Sequence, residues 1–176
     1  MKQILVIVDG SNFYHGCKKL VPKVHLTNFN YRKLMEKVVG KKRLKIFYCV
    51  GEIRKEKGNK KSEQLYSQQQ SLFYALEKQG ITICKGFMLK SDGKYHEKGV
   101  DVRVAVEIVK GSFRNEYDKC YLFSSDTDII PAILEAKRQH KTIVYVGFAS
   151  KISRAMSNNC SATRAVTVRE IVDCSN

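Results

Sequence analysis

Short apolar runs alternate along the chain with stretches in which apolar residues return every three or four positions. The runs are ILVIV at 4–8, KIFYCV at 45–50, ITIC at 81–84, CYLF at 120–123 and TIVYV at 142–146. They are continuous rather than alternating, the pattern of a strand covered on both faces in a parallel sheet. Residues 30–39 carry Tyr31, Leu34, Met35 and Val38 at helical spacing. Residues 62–79 carry Leu65, Leu72, Phe73 and Leu76, with Gly80 as a stop. Residues 100–110 carry Val102, Val106 and Val109 before Gly111, and 129–139 have Pro131 in the first turn, where its missing N–H costs nothing. These four stretches predict helices, and 166–172 predicts a last short one.

Strands alternating with helices imply right-handed βαβ units. The fold class is therefore α/β with a mostly parallel, Rossmann-like sheet, in one domain over 1–176. There are no repeats and no linker. EIRKEKGNKK at 52–61 reads as an exposed charged excursion, and KSDGKYHE at 90–97, with Asp92-Gly93, as a hairpin tip. From Ser150 to Thr163 the chain is small and polar and predicts no element.

The charge narrows the function. Net charge is +15, from 32 Lys and Arg against 17 Asp and Glu. Such an excess points to a polyanionic partner, since each neutralised phosphate releases a counterion; the plainer reading is a merely basic surface. An anionic membrane is disfavoured because no strongly amphipathic basic helix is present. The first apolar run ends at Asp9, too short for a membrane span or a signal-peptide core, so the chain reads as cytoplasmic. Cys17, Cys49, Cys84, Cys120, Cys160 and Cys174 form no C-x-x-C pair and read as buried free thiols of a reducing compartment.

The carboxylates carry the chemistry. The first run ends in Asp9-Gly10-Ser11-Asn12, and the fourth in Ser124-Ser125-Asp126-Thr127-Asp128. With strand order 3-2-1-4-5, Asp9 and Asp126 meet across the switch point, where open α/β sheets bind ligands. Gly10 permits a sharp turn, and Asn12 suits a phosphate or a water. Helix capping explains one Asp at each place; two in 126–128 exceed what a cap requires. Glu97-Lys98-Gly99-Val100-Asp101-Val102 adds Asp101 in the first turn of a helix, where the dipole alone also explains an acid. Glu107 is either an outer ligand below Asp101 or a solvated face. Close carboxylates repel, and a hard cation such as Mg²⁺ relieves the repulsion. Lys98 and Ser125 are candidates for holding the substrate phosphate. Arg54, Lys55, Lys60 and Lys61 are candidates for its approach.

The remaining chemistries lack their residues. His15, His25, His96 and His140 are scattered, with no triad partner. His15 and Tyr14 are read chiefly as helix packing. No phosphate-binding G-x-x-x-x-G-K-[ST] loop occurs. An aspartyl-phosphate mechanism needs D-x-D after the first strand, and the position two beyond Asp9 is Ser11.

Asp9-Gly-Ser-Asn12, Lys98-Gly-Val-Asp101-Val and Ser125-Asp-Thr-Asp128, in this order over most of the chain, resemble the three motifs of the NYN domain, a PIN-like nuclease family, in its stand-alone bacterial and archaeal branch. The resemblance implies a PIN-like three-layer α/β/α sandwich, acids gathered around Mg²⁺ or Mn²⁺, and RNA as substrate. Carried over by motif, Asp9, Asp101, Asp126 and Asp128 are metal ligands and catalytic acids, and Asn12 is an active-site polar residue. Glu107 stands where the family pattern often has Asp. The expected function is metal-dependent RNA hydrolysis; the alternative is a non-catalytic RNA-binding module of the same fold.

Overall fold

β1 (Gln3–Asp9) sends alternate side chains into two separate cores. Val6 and Val8 join Phe13 and Cys17 of α1 (Gly10–Leu20), Leu34 and Met35 of α2 (Tyr31–Val39), Leu76 of α3 (Lys60–Lys78) and Ile171 of α7 (Val168–Val172). Leu5 and Ile7 join Val104 and Ile108 of α4 (Val100–Phe113), Ile133 and Ala136 of α5 (Ile130–Arg138) and Met156 of α6 (Arg154–Asn159). Helices thus cover both faces of the sheet, and this double burial is why the first run is apolar at every position. The computed structural model describes residues 3–41, 43–55, 58–91 and 94–175.

The other strands are β2 (Leu44–Glu52), β3 (Thr82–Ser91), β4 (Lys94–Lys98), β5 (Tyr117–Phe123), β6 (Thr142–Phe148) and β7 (Ala162–Val166). Their order is β4-β3-β2-β1-β5-β6-β7, parallel except for β4, which runs antiparallel to β3. The five apolar runs therefore take the expected order, within the expected three-layer α/β/α arrangement. The sequence turns outward from β1, to β2 on one side and to β5 on the other, so the switch point lies between β1 and β5.

Three local expectations change and one holds. The 150–163 stretch holds α6 and the start of β7, a five-residue edge strand that depends on pairing with β6. The 90–97 hairpin exists as β3 and β4, while Asp92-Gly93 lies outside the described residues. Lys60 and Lys61 begin α3, capped by Asn59, instead of ending a loop. In α4 two of the three predicted stripe residues face outward, Val102 at 59% and Val106 at 45% exposed, while Val109 packs against the core that buries Val100, Val104 and Ile108. Valines at 100, 102, 104 and 106 place apolar residues on two faces of this helix, which starts at the left-handed Gly99 (φ 75°). All six cysteines are free thiols, and five are buried. Among the described residues no helix is long and apolar enough to cross a membrane.

Candidate active site

Asp9 closes β1 and is only 6% exposed. The Val8–Phe123 pairing of β1 with β5 brings the loop after β5 alongside it. Asp9 Oδ1 accepts from Asn12 N (3.0 Å); Oδ2 accepts from Asn12 Nδ2 (2.7 Å) and Ser124 Oγ (3.1 Å). Ser124 Oγ in turn accepts from Asp126 N at 3.2 Å, and Asn12 Oδ1 from Ser125 N at 3.1 Å. Asn12 and Ser124 therefore stitch the β1 and β5 loops together and fix the Asp9 carboxylate between them.

Asp9, Asp101 and Asp126 line one cleft of about 410 Å³, with Ser11, Asn12, Glu97 and Lys98. Burial raises the Asp9 carboxyl above its ordinary 3.8, against three lowering hydrogen bonds, and nearby Asp126 raises it further. Glu97 is raised first by burial, then by Asp9 and Asp101, although the Gly51 N–H donates to it. Four carboxylates thus share an electrostatic neighbourhood in the cleft. They surround it rather than cluster: among the described residues no group of three or more His, Cys, Asp or Glu is close enough together to hold a metal ion. Asp128 is exposed in the 3-10 turn Thr127–Ile129 and lies outside the cleft lining.

Capping and site geometry coincide here. Asp9 is the N-cap of α1, and Asp126 caps the 3-10 turn through Asp128 N at 3.0 Å. Both keep their place on the cleft. Gly10 is required for space rather than for a turn: a Cβ there would lie 2.6 Å from the Tyr48 ring and 3.0 Å from Cys49 O.

Glu97 is the cleft residue that sequence reasoning missed. Its signal was its place directly before the Lys98-Gly99-Val100-Asp101 motif; its strand, β4, returns antiparallel along β3. Register Met88–Glu97 sets it near Gly51, where a Cβ would collide with Glu97 and Met88 at 2.8–2.9 Å. Glu107 takes neither expected place. It is 8% exposed, pairs with Lys110 at 2.5 Å, and lines a small hollow with Leu5, Lys45 and Phe47, towards the amino ends of the strands.

Lys98 is exposed on the cleft; Ser125 does not line it but lines a neighbouring hollow, where its Oγ bonds Tyr145 OH at 2.8 Å. Arg54, Lys55, Lys60 and Lys61 are exposed as expected, but none lines the cleft. His15 and Tyr14 are exposed on α1 rather than packed, Tyr14 at 47%. A larger groove of about 890 Å³ lies between the 27–30 loop and α3 and is lined by amides, hydroxyls and Lys78, without a carboxylate.

No curated protein matches the sequence. Among solved structures, the crystal structure of a protein of unknown function from Vibrio parahaemolyticus is similar, with a TM-score of 0.65 at 17% identity, covering 94% of this chain and 93% of that one. At that identity the likeness speaks to fold alone. The sequence profile of the NYN domain matches residues 3–167, nearly the whole chain, and spans all three motifs around the cleft. The chain belongs to the NYN domain family, a nuclease-like family.

Proposed function

We propose that this protein is a metal-dependent ribonuclease that hydrolyses RNA phosphodiester bonds at the Asp9–Asp101–Asp126 cleft with Mg²⁺ or Mn²⁺. The observation that carries this reading is the meeting of acids from β1, the β5 loop and α4 in one cleft of a +15 chain. An acid cleft does not attract a phosphodiester by itself; with a bound cation it does.

The donor set suits such a cation. Mg²⁺ takes oxygen ligands, usually one or two protein carboxylates plus waters and substrate phosphates, so a closed cage of three protein ligands is not required. Asp9 receives three hydrogen bonds on two oxygens and keeps lone-pair capacity towards the cleft. Asp126 uses Oδ1 for its cap, leaving Oδ2 for a cation. Asp101 lines the same cleft from the first turn of α4, and Asp128, exposed two residues beyond Asp126 and outside the lining, is a further acid. A divalent ion held there supplies Lewis-acid stabilisation of charge on the phosphate and a more acidic water. Asn12 orients Asp9, Lys98 holds a phosphate oxygen, and the Ser125 loop shapes the floor. The free thiols fit the reducing cytoplasm as the working compartment.

The deciding experiment incubates labelled single- and double-stranded RNA and DNA with the protein in Mg²⁺, Mn²⁺ or EDTA. RNA cleavage with either metal and none in EDTA is expected. RNA binding without cleavage in any metal would instead identify a non-catalytic binding module.

A further inference from the structure

We propose that a second hollow beside the acid cleft, lined by His15, Lys19, Lys151 and Arg154, holds the phosphate backbone of single-stranded RNA next to the scissile bond. The proposal builds on the ribonuclease reading of the cleft. The hollow measures about 480 Å³ and shares Ser11 and Asn12 with the acid cleft, so a chain lying in one enters the other. Its lining contains no carboxylate. Lys19, Lys151 and Arg154 are exposed, and among the described residues none of them makes an ion pair.

The two hollows are therefore opposite in sign and adjacent. A strand crossing both has its flanking phosphates neutralised by protein cations and its reacting phosphate presented to the acids and their metal. The hollow is concave and of single-nucleotide scale, which suits a flexible strand better than the face of a duplex. Its walls are also rigidly tied to the cleft. Tyr145 OH bonds Ser125 Oγ at 2.8 Å and accepts from Ser153 N at 3.1 Å, joining the β5 loop to the segment that carries Lys151 and Arg154. The charged 54–61 segment lacks these features: Lys55 is paired with Glu63 at 3.6 Å, and neither hollow is lined by Arg54, Lys60 or Lys61.

The test measures binding in EDTA, so that cleavage plays no part. A fluorescent single-stranded RNA is titrated at several salt concentrations with wild type, with Lys19→Ala/Lys151→Ala/Arg154→Ala, and with Arg54→Ala/Lys55→Ala/Lys60→Ala/Lys61→Ala. Losing three phosphate contacts makes the slope of log K against log salt shallower by about 2, at roughly 0.7 per contact. The triple variant is expected to show that change and at least a tenfold weaker Kd at low salt. The quadruple variant is expected to keep the wild-type slope. All substituted side chains are exposed, and circular dichroism confirms folding; the single Lys151→Glu provides a second, milder probe with the same expected direction. Wild-type Kd and slope in both the triple variant and Lys151→Glu would overturn the proposal, as would the loss appearing only in the quadruple variant. If the wild type binds RNA but cleaves none, the ribonuclease reading falls, while the slope comparison still decides the hollow.

Discussion

Asn12 holds Asp9 at two points, by its backbone N–H on Oδ1 at 3.0 Å and by its side-chain amide on Oδ2 at 2.7 Å. Its own carbonyl oxygen accepts from Ser125 N at 3.1 Å, so one side chain orients the buried acid and anchors the loop that carries Asp126. The Asn side chain carries both a donor and an acceptor, so it donates to Asp9 and accepts from the β5 loop, which an ionised Asp cannot do.

Asn12→Ala removes both side-chain bonds and leaves Ser125 N without its partner. A cost of about 1–3 kcal/mol in stability is expected, as for one unsatisfied buried donor. A 10–100-fold loss of cleavage should accompany it, the usual size of losing a group that orients a ligand. Asn12→Asp should lose more activity than its stability loss suggests, because a second carboxylate against Asp9 raises the pKa of both. Chemical denaturation and single-turnover cleavage, measured side by side, check the pair.

Asp126→Asn keeps the shape of the cap but removes the charge a cation needs. Cleavage should fall by about 10³-fold, corresponding to the several kcal/mol that metal charge stabilisation supplies. RNA affinity in EDTA should stay within about twofold of wild type. Wild-type cleavage in this variant would reduce Asp126 to a helix cap.

The raised carboxyls of the cleft make a pH-dependent prediction. Asp9 is held above its ordinary 3.8 and Glu97 above 4.5, each chiefly by burial. A carboxyl raised in the folded state contributes stability below its unfolded pKa, and that contribution is lost as pH rises through the raised value. A cation that binds only the folded cleft offsets the loss, by about 2.7 kcal/mol at 100 times its Kd. The gain in Tm on adding Mg²⁺ should therefore be absent below pH 3.8 and grow as pH rises through the range where Asp9 and Glu97 ionise. Thermal melts with and without Mg²⁺ across that range are the measurement. A Tm gain independent of pH would place the bound cation away from these acids.

The strands were legible because burial on both faces writes itself as unbroken apolar runs; their order, assumed as 3-2-1-4-5 for an open α/β sheet, is the one the five runs take. Asp9, Asp101 and Asp126 were legible because each stands just after a strand or at a helix start. What escaped was set by tertiary contact. β7 and α6 carry small and polar residues that become regular only against β6 and the core. The phase of α4 is not fixed by periodicity, because valines at 100, 102, 104 and 106 fit two faces, and packing against the sheet buries Val100 and Val104. Glu97 has no signal of its own beyond adjoining the Lys98-Gly99-Val100-Asp101 motif, since only the antiparallel return of β4 brings it across to Gly51 and the cleft.

Glu97 also gives the sharpest test of the cleft's outline. Its side chain reaches past Gly51, which has no room for a Cβ: the nearest atoms would be Met88 Sδ at 2.8 Å and Glu97 Cγ and Oε1 at 2.9 Å. Gly51→Ala should therefore push Glu97 aside at a cost of about 1–3 kcal/mol, typical of overpacking. Glu97→Gln keeps a carbonyl oxygen for the Gly51 N–H and removes only the charge, so its stability should stay close to wild type or rise. If Glu97 serves the cation, both variants lose cleavage, and raising Mg²⁺ partly restores Glu97→Gln because affinity, not geometry, was reduced. If Glu97 only anchors β4 to β2, Gly51→Ala alone loses activity and Glu97→Gln cleaves at the wild-type rate at every Mg²⁺ concentration. Cleavage rates against Mg²⁺ for the two variants, read beside their melting curves, separate a charge that acts on the reaction from a hydrogen bond that holds a strand.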